Sequence, residues 1–525
     1  MIAGAPFSFR SLSASCLRLT LFLLCLAAGS GCALDRPHRP YLAQSCQTGL
    51  SRVPLPEACT STCRAGAEAE DEPACRITCK GVATAEARSF QNFAGGGKSI
   101  AQGNYLVGYV EFDDQGWFHD KSQRKVIFDA IARDREEHLK ESGKERQYLL
   151  VVFAHGWKHN ADGDDDNVRE FNKLLERLDV QEQVVAAKQG KDARKVVGFY
   201  LAWRGASLTI PGLDNITFWN RKNAGERVGD RSAKQLLMEI NNLRTNLNGW
   251  PTGNKLATSR QTQLILIGHS FGGLLMYHAL HTELMDRELQ LDRQADNSYR
   301  FDTAKSFGDF ILLVNPAFEG AAYEPLFHAA SCRPFPSNER PILAIVTSKS
   351  DWATGVAFPL GRLYTLTQSA PHDQERSTVM KTVGHLRRYT THDITYDPAH
   401  QPVQLEQTSK LSITTTARAE ENVREMLTTP PEPTGRLQRW YDGVRLDPTA
   451  VYADHLPYLV MSADSTLIKD HNDIWNDRFI QFVTAFVTKE VMSKLPPASK
   501  PEPEQKPNPL PPVFRFWLEE SDRCP

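Results

Sequence analysis

The feature that most constrains the fold of this chain is the run LILIGHSFGG at residues 264–273. Its apolar start is typical of a buried strand, and the residues that follow, GLLMYHALHTEL, have the apolar pattern of a helix. A strand that turns into a helix over so few residues leaves no room for a β-carbon at Gly268 or Gly272. The run therefore predicts a sharp strand–turn–helix junction that presents Ser270 at the carboxyl end of a sheet.

Apolar runs typical of buried strands alternate with amphipathic helical segments over residues 98–495, which we interpret as one domain. Besides the run above, the strand-like segments are YLLVVFAHG, VVGFYLAW, FILLVN, PILAIVT and PYLVM. Such alternation predicts an α/β fold in which helices flank a mainly parallel sheet. The earlier segment NYLVGYVEFDDQGWFHD is expected to form antiparallel edge strands with a turn at Asp114–Gly116.

Residues 353–456 separate the last two predicted core strands and have little regular apolar pattern. We interpret this stretch as an insertion. It either forms a cap over a functional site at the carboxyl ends of the strands or is a structural excursion away from that site.

The N-terminal residues 1–31 have the pattern of an export signal. Arg10 and Arg18 precede the apolar run LTLFLLCLAA, which is shorter than the roughly 20 residues needed to cross a bilayer. The ending GSGC is similar to the bacterial lipoprotein signal, although Gly29 stands where that signal usually carries leucine. The similarity implies that Cys32 receives lipid and anchors the protein in the cell envelope. Ordinary cleavage nearby, which would give a periplasmic or secreted protein, is the alternative.

Residues 32–97 are expected to be an exported spacer that carries a disulfide-rich hairpin. The segment CTSTCRAGAEAEDEPACRITC contains two C-x3-C pairs, and on two short antiparallel helices this spacing places both thiols of a pair on one face. Cys59–Cys79 and Cys63–Cys75 could then be bonded in an oxidising compartment. A zinc site is the rival interpretation, although the spacing is not the usual C-x2-C form. The sequence leaves the connectivity open.

The overall charge and the C-terminal end exclude some classes of function. The chain has 61 basic and 63 acidic residues, with a formal net charge of −2, whereas nucleic-acid binders show a basic excess or stripe. We therefore expect no nucleic-acid partner. Residues 496–525 are rich in proline, lysine and glutamate and are expected to form an extended tail.

In its strand-to-helix context, Gly268-His269-Ser270-Phe271-Gly272 resembles the G-x-S-x-G nucleophile elbow of the α/β-hydrolase superfamily, in particular its serine esterases and lipases. The resemblance extends over roughly residues 100–495. It implies that Ser270 is a nucleophile, and that an acid and a histidine follow later in the chain, each on a loop after a core strand.

Two later loops carry the candidates for the acid and the base. Asp351 follows the strand-like PILAIVT and is the expected acid; a helix-capping role is its alternative, and Asp464 is the reserve. His471 follows the last strand and directly precedes the final helix, where the family carries its histidine. His455 is the second candidate for this base.

Two backbone N–H groups are expected to form an oxyanion hole, which stabilises negative charge on a substrate oxygen. One is that of Phe271, directly after the elbow serine. The other is that of Trp157, because FAHGWKHN resembles the HG-x loop of lipases and esterases. A metal site at His155 and His159 is the alternative, but this segment lacks the helix and glutamate of H-E-x-x-H.

The resemblance implies a carboxylic-ester hydrolase that acts on a small-molecule or lipid ester, with Ser270, Asp351 and His471 as the catalytic set and with no metal or other cofactor. The same parts would serve a serine peptidase or an acyltransferase. From a different class, a non-catalytic surface lipoprotein would use the scaffold to bind a partner. The presence of all three side-chain types argues against this second hypothesis, because a binding module has no need of them.

Overall fold

The structure is a computed structural model. It describes residues 37–39, 59–64, 74–79, 89–93, 104–205, 218–248, 261–293, 299–300, 307–331, 333–336, 339–363, 373–400, 438–452 and 455–492. The predicted signal 1–31, Cys32 and the tail 496–525 lie outside the described residues.

The elements are numbered along the chain. The strands are β1 (Cys59–Arg64), β2 (Ala74–Cys79), β3 (Phe90–Phe93), β4 (Tyr105–Phe112), β5 (Tyr148–Ala154), β6 (Lys195–Trp203), β7 (Gln263–His269), β8 (Asp292–Arg293), β9 (Tyr299–Arg300), β10 (Phe310–Val314), β11 (Leu343–Ser348), β12 (His392–Tyr396), β13 (Arg439–Tyr441), β14 (Val444–Pro448) and β15 (Tyr458–Ala463). The α-helices are α1 (Lys121–Ser142), α2 (Asp166–Gln189), α3 (Phe218–Val228), α4 (Lys234–Leu247), α5 (Phe271–Leu289), α6 (Gly320–Ser331), α7 (Phe358–Gly361), α8 (Asp373–Met380) and α9 (Asp477–Val487). Of the helices among the described residues, none is both long and apolar enough to cross a membrane.

A single large sheet organises the chain from β3 to α9. Its eleven strands lie in the order β13-β14-β12-β15-β11-β10-β7-β5-β6-β4-β3. The strands from β12 to β4 in that order run parallel, whereas β3 at one edge and β14 near the other pair antiparallel with their neighbours. This arrangement confirms the predicted α/β class with a mainly parallel sheet flanked by helices.

Helices cover both faces of the sheet, which explains why its central strands are apolar throughout rather than alternating. Every residue of β5 and β7 is buried, as expected for parallel strands enclosed between two layers. One core contains apolar side chains of α1, α3, α4, α5 and α6. The core on the other face contains those of α2 and α9.

The connections place a crevice at the middle of the sheet. Strands β5 and β7 are neighbours in the sheet. From β5 the chain continues to β6, which lies on the side away from β7, and from β7 it continues to β10, which lies on the side away from β5. In open parallel sheets, the loops at the carboxyl ends diverge at such a switch point and leave space for a ligand. The fold therefore favours a site where β5 and β7 end.

The prediction for the first sheet segment was wrong in its pairing. The turn is present, with the Gly116 N–H donating to the Asp113 carbonyl and a bridge between Phe112 and Phe118. However, β4 is an interior strand that pairs in parallel with β6, and the edge strand is β3. All eight residues of β4 are buried, because α1 and α2 pack on its two faces.

The described part of the predicted insertion 353–456 contributes to the sheet itself. Strand β12 pairs in parallel with β15, and β14 and β13 extend this side of the sheet. Buried residues alternate with partly exposed ones along β12, so its sequence lacks the continuous apolar run of the central strands. The same stretch also contains α7 and α8.

The cysteine segment is a pair of antiparallel strands, not the expected pair of helices. Strands β1 and β2 pair with Cys59 opposite Cys79 and Cys63 opposite Cys75. A spacing of four residues returns to the same face in a strand as well as in a helix. The predicted partners are therefore opposite each other along the backbone, although the secondary structure was predicted wrongly.

Candidate active site

Ser270 lies at the tip of the strand-to-helix turn between β7 and α5. Its backbone has φ 55° and ψ −118°, a region that non-glycine residues adopt only when their surroundings impose it. The surroundings do so through hydrogen bonds: the Ser270 N–H donates to the Val314 carbonyl over 3.0 Å, and its own carbonyl accepts from the N–H groups of Leu274 and Ala317, both at 3.1 Å.

The two glycines of the turn are required by close approach, as the sequence predicted. A β-carbon at Gly268 would lie 2.7 Å from the Gly272 carbonyl oxygen, and one at Gly272 would lie 2.0 Å from the Ala154 carbonyl oxygen. Both contacts are shorter than real β-carbons make, and both involve backbone. The start of α5 is thus packed directly against the end of β5.

The structure brings Ser270, His471 and Asp351 into one chain of hydrogen bonds. The Ser270 Oγ lies 2.7 Å from the His471 Nε2, and the His471 Nδ1 lies 2.8 Å from the Asp351 Oδ2. Because ionised carboxylates only accept, Nδ1 carries a proton and Nε2 is the acceptor for the serine hydroxyl. This is the tautomer that a general base next to a serine needs.

Asp351 is held by more than the histidine. It is 2% exposed, and Thr354 donates to it twice, from the backbone N–H to Oδ1 over 3.1 Å and from the hydroxyl to Oδ2. Burial raises the pKa of Asp351, but the hydrogen bonds from His471 and Thr354 lower it by more, so that its pKa lies below the ordinary value. The carboxylate is therefore ionised at neutral pH.

The chain of contacts continues beyond the aspartate to His385. The His385 Nε2 lies 3.0 Å from the Thr354 Oγ1. Since the threonine hydroxyl gives its only proton to Asp351, it accepts from His385, and Nε2 of that ring carries the proton. Burial lowers the pKa of His385 below the ordinary value. No sequence motif marks Thr354 or His385, because the Thr354–His385 contact joins segments 31 positions apart.

The backbone of His471 is fixed separately from its ring. Its carbonyl accepts from the His269 Nε2 and from the Asn315 Nδ2, each at 2.9 Å. Asn315, with φ 45°, is completely buried, and its Oδ1 accepts from the Ser348 N–H over 2.9 Å. The loop that carries His471 is thereby tied to the carboxyl ends of three strands: to β7 through His269, to β10 through Asn315 and to β11 through Ser348.

His269 takes this role as a neutral side chain. Burial and the neighbouring His471 lower the pKa of His269 to about 3. Its Nε2–H donates to the His471 carbonyl, and its buried Nδ1 has no hydrogen-bond partner within the described residues. The support that His269 gives to the His471 loop could not be predicted from the elbow motif, because the partner lies 202 positions later in the chain.

Phe271 and Trp157, the predicted oxyanion donors, follow the adjacent strands β7 and β5. Phe271 begins α5, where backbone N–H groups have no intrahelical acceptor. In the described part of the chain, neither its N–H nor that of Trp157 donates to a backbone or side-chain acceptor. Two unpaired N–H groups therefore lie at the switch point, beside the serine.

Aromatic rings form a continuous wall beside this point. Phe218 contacts the rings of Phe271 and Trp157, with ring centres 4.8 and 5.4 Å apart. Trp219 continues the wall to Phe358, at 5.4 Å. Phe271 and Phe358 are completely buried, whereas Trp157, Phe218 and Trp219 are partly exposed. The exposed parts of these three rings give the neighbourhood of the serine an apolar side.

The remaining candidates for acid and base lie elsewhere. Asp464 closes a local turn by accepting from the Thr466 N–H and hydroxyl. His455 has φ 64°, and its N–H donates to the Tyr452 hydroxyl. The structure brings neither of them into the chain of hydrogen bonds around Ser270.

His155 is a buried structural contact. Its Nε2 accepts from the Trp203 N–H over 3.1 Å, and its ring is stacked on the indole. Burial lowers the pKa of His155 to about 4. Among the described residues, no group of three or more His, Cys, Asp or Glu side chains is placed to hold a metal ion.

Comparisons with known proteins give little further information. No family model matches the sequence, and no curated protein matches it. Among solved structures, a crystal structure of an uncharacterized protein from Pseudomonas aeruginosa matches with 11% sequence identity and a TM-score of 0.18. The match covers 46% of this chain and 42% of that protein, so the chain spans less than half of its length.

Proposed function

We propose that the chain is a serine hydrolase of the α/β-hydrolase type that cleaves carboxylic esters through an acyl-enzyme on Ser270. The observation that carries this proposal is the pair of distances from the Ser270 Oγ to the His471 Nε2, 2.7 Å, and from the His471 Nδ1 to the Asp351 Oδ2, 2.8 Å. A serine hydroxyl becomes a useful nucleophile when a base takes its proton and a third group orients that base.

In the proposed first half-reaction, the Ser270 oxygen attacks the ester carbonyl carbon while its proton passes to the His471 Nε2. The tetrahedral intermediate collapses, the alcohol leaves with the proton from Nε2, and the acyl group stays on the serine. In the second half, water attacks the acyl carbon and gives a proton to the same nitrogen. That proton returns to Ser270 as the carboxylic acid is released.

Asp351 and the two N–H groups supply the electrostatic part of the mechanism. The aspartate holds the imidazolium that forms on His471 and keeps the required tautomer. Negative charge on the substrate oxygen is stabilised by the N–H groups of Phe271 and Trp157, each worth about 3 kcal/mol in sites of this kind. Ester hydrolysis in this form needs no metal or other cofactor.

The substrate class that we propose is an ester with an apolar acyl part, either a small molecule or a lipid. The partly exposed rings of Trp157, Phe218 and Trp219 support an apolar ligand. The predicted export signal adds that the substrate is met outside the cytoplasm, at the cell envelope.

A fluorophosphonate probe tests the proposal, because it reacts with serines that are activated as nucleophiles. We expect the native chain to be labelled and Ser270→Ala to be unlabelled, whereas Ser465→Ala, which removes an exposed serine near the end of β15, should be labelled like the native chain. Equal labelling of the native chain and Ser270→Ala, or no labelling at all, would refute the proposal and favour a non-catalytic surface lipoprotein. Matched p-nitrophenyl esters and anilides then distinguish an esterase from a peptidase.

A further inference from the structure

Four large apolar side chains lie on the surface of one short helical segment directly after Asp351. Trp352, Val356, Leu360 and Leu363 are exposed by 65%, 43%, 57% and 48%. Their spacing of three or four residues places them along one side of the segment. They are four of the eight large apolar residues that are exposed in the described part of the chain. We call this set the apolar stripe.

The other side of the segment is fixed to the protein. Phe358 is completely buried, with its ring centre 5.4 Å from that of Trp219. The single charged residue between Trp352 and Leu363 is Arg362, and its guanidinium pairs with Glu319 over 2.9 Å. The stripe is therefore held in place and uncharged, and contiguous exposed apolar surface of this kind marks an interaction site.

The described residues nearest the N-terminus are fixed at the carboxyl ends of the strands, as the stripe is. The N–H groups of His38 and Arg39 each donate to the Glu111 carboxylate over 2.8 Å. The Arg39 Nε donates to the Ala161 carbonyl over 2.5 Å, and its guanidinium lies 3.7 Å above the Tyr109 ring. Glu111 is near the end of β4 and Ala161 follows β5, so this clamp lies at the carboxyl ends of the strands.

The clamp limits how far a lipid on Cys32 can lie from the carboxyl ends of the strands. Five peptide units separate Cys32 from Pro37, and a fully extended chain of this length spans at most about 18 Å. Along the sheet, β4 and β11 are five strand spacings apart, or about 24 Å. A membrane that holds the lipid is thus within about 18 Å of the clamp. The stripe follows β11, about 24 Å from β4, at the same carboxyl ends of the strands.

We infer that the apolar stripe docks on a lipid bilayer, so that the carboxyl ends of the strands, where Ser270 lies, face the membrane. This inference rests on the predicted lipid anchor and adds to the proposed hydrolase the surface from which it takes its substrate. A short helix with apolar residues on one side enters the boundary between headgroups and acyl chains, and tryptophan is favoured at that depth. An ester in a membrane lipid is then the substrate class closest to the site.

Tryptophan fluorescence in vesicles tests the inference on the full chain. Purified protein is placed in phosphatidylcholine vesicles with or without bromine on the acyl chains, since bromine quenches tryptophans that reach it. In a Trp117→Phe background, which removes the other highly exposed tryptophan of the described residues, Trp352→Phe should lose most of the bromine-dependent quenching. Adding Leu360→Trp to this variant should restore it, whereas adding Leu289→Trp should not. Leu289 is the matched control, because it is similarly exposed but ends α5 at the amino ends of the strands, away from Ser270.

A second measurement uses the full chain with Cys32→Ser, which lacks the lipid acceptor. In flotation with phosphatidylcholine–phosphatidylglycerol vesicles, the double variant Leu360→Gln with Leu363→Gln should bind roughly tenfold or more weakly. The reason is that two leucine side chains no longer transfer apolar surface from water into the bilayer. Leu139→Gln with Leu289→Gln changes two leucines of similar exposure at the amino ends of the strands and should bind as before. Thermal unfolding confirms that each variant is folded.

Unchanged quenching in Trp352→Phe, or equal restoration by Leu289→Trp, would overturn the inference. A concentration-dependent dimer that the stripe variants abolish, together with no quenching, would assign the stripe to a second copy of the chain and would also overturn it. Neither measurement depends on ester turnover. Docking without fluorophosphonate labelling would therefore refute only the hydrolase, and labelling without docking would refute only this inference.

Discussion

Thr354 donates both its backbone N–H and its hydroxyl to the carboxylate of Asp351. One threonine thus contacts both oxygens of a carboxylate whose second oxygen also accepts from His471. Its hydroxyl is in turn the acceptor for His385. The aspartate is therefore positioned by its own helical turn on one side and by the histidine on the other.

Replacing Thr354 with valine keeps the volume and removes the hydroxyl. A hydrogen bond to a charged group contributes about 1.5–3 kcal/mol, so we expect kcat for a p-nitrophenyl ester to fall roughly 10- to 100-fold, with KM little changed. Thr484→Val is the matched control, since it removes a buried hydroxyl that donates to the Ile480 carbonyl far from Ser270. Equal rates for the two variants would contradict a positioning role for Thr354.

Replacing Asp351 with asparagine removes the charge that holds the His471 tautomer. We expect kcat to fall by about 10⁴, as in other serine–histidine–aspartate sites. The effect should disappear in a Ser270→Ala background, because residues that act as one unit are not additive. Steady-state kinetics of the two single variants and of the double variant measure this. A further fall in the double variant would show that Asp351 acts independently of Ser270.

The buried His392 predicts a loss of stability in acid. Burial lowers the pKa of His392 to about 4, whereas an unfolded histidine has a pKa near 6.5. Between these values the unfolded chain binds the extra proton, so the free energy of unfolding falls as the pH falls, by about 1.4 kcal/mol per pH unit for this residue. His392→Gln should make urea unfolding less sensitive to pH between 6.5 and 4. An unchanged slope would contradict this.

The register of β1 and β2 predicts which cysteines are joined by disulfide bonds. Cys59 lies opposite Cys79, and Cys63 lies opposite Cys75, so we expect these two disulfides in the exported protein. Peptide mapping without reduction should give the two linked pairs. Links such as Cys59–Cys75 would contradict the register, and free thiols throughout would contradict export into an oxidising compartment.

The sequence was most informative where a single segment determines its own surroundings. The apolar runs of β5, β7, β10, β11 and β15 predicted the interior of the sheet, because strands covered on both faces have no polar side to obscure the pattern. The elbow glycines predicted the close approach of α5 to β5. Asp351 and His471 were selected by their positions after strands, and their catalytic roles stay predictions.

Most of the misses have one physical cause, which is that the decisive partner lies far away in sequence. His385 contacts Thr354 across 31 positions, and Asn315 contacts His471 across 156. No local pattern predicts such pairs. The cysteine segment was mistaken for helices because a spacing of four fits both periods. The interior position of β4 depends on its pairing with β6, which its own sequence does not reveal.

The contacts of Ser270 have a consequence for how the molecule matures. His471 meets the serine across 201 positions of chain and the aspartate across 120, and it follows β15, the last strand in the described part of the chain. A chain still bound to the ribosome therefore contains Ser270 long before it contains His471. Pairings that span so much of the chain form late in folding. The arrangement therefore delays the contact, because Ser270 can meet His471 only after β15 and the loop behind it have been synthesised.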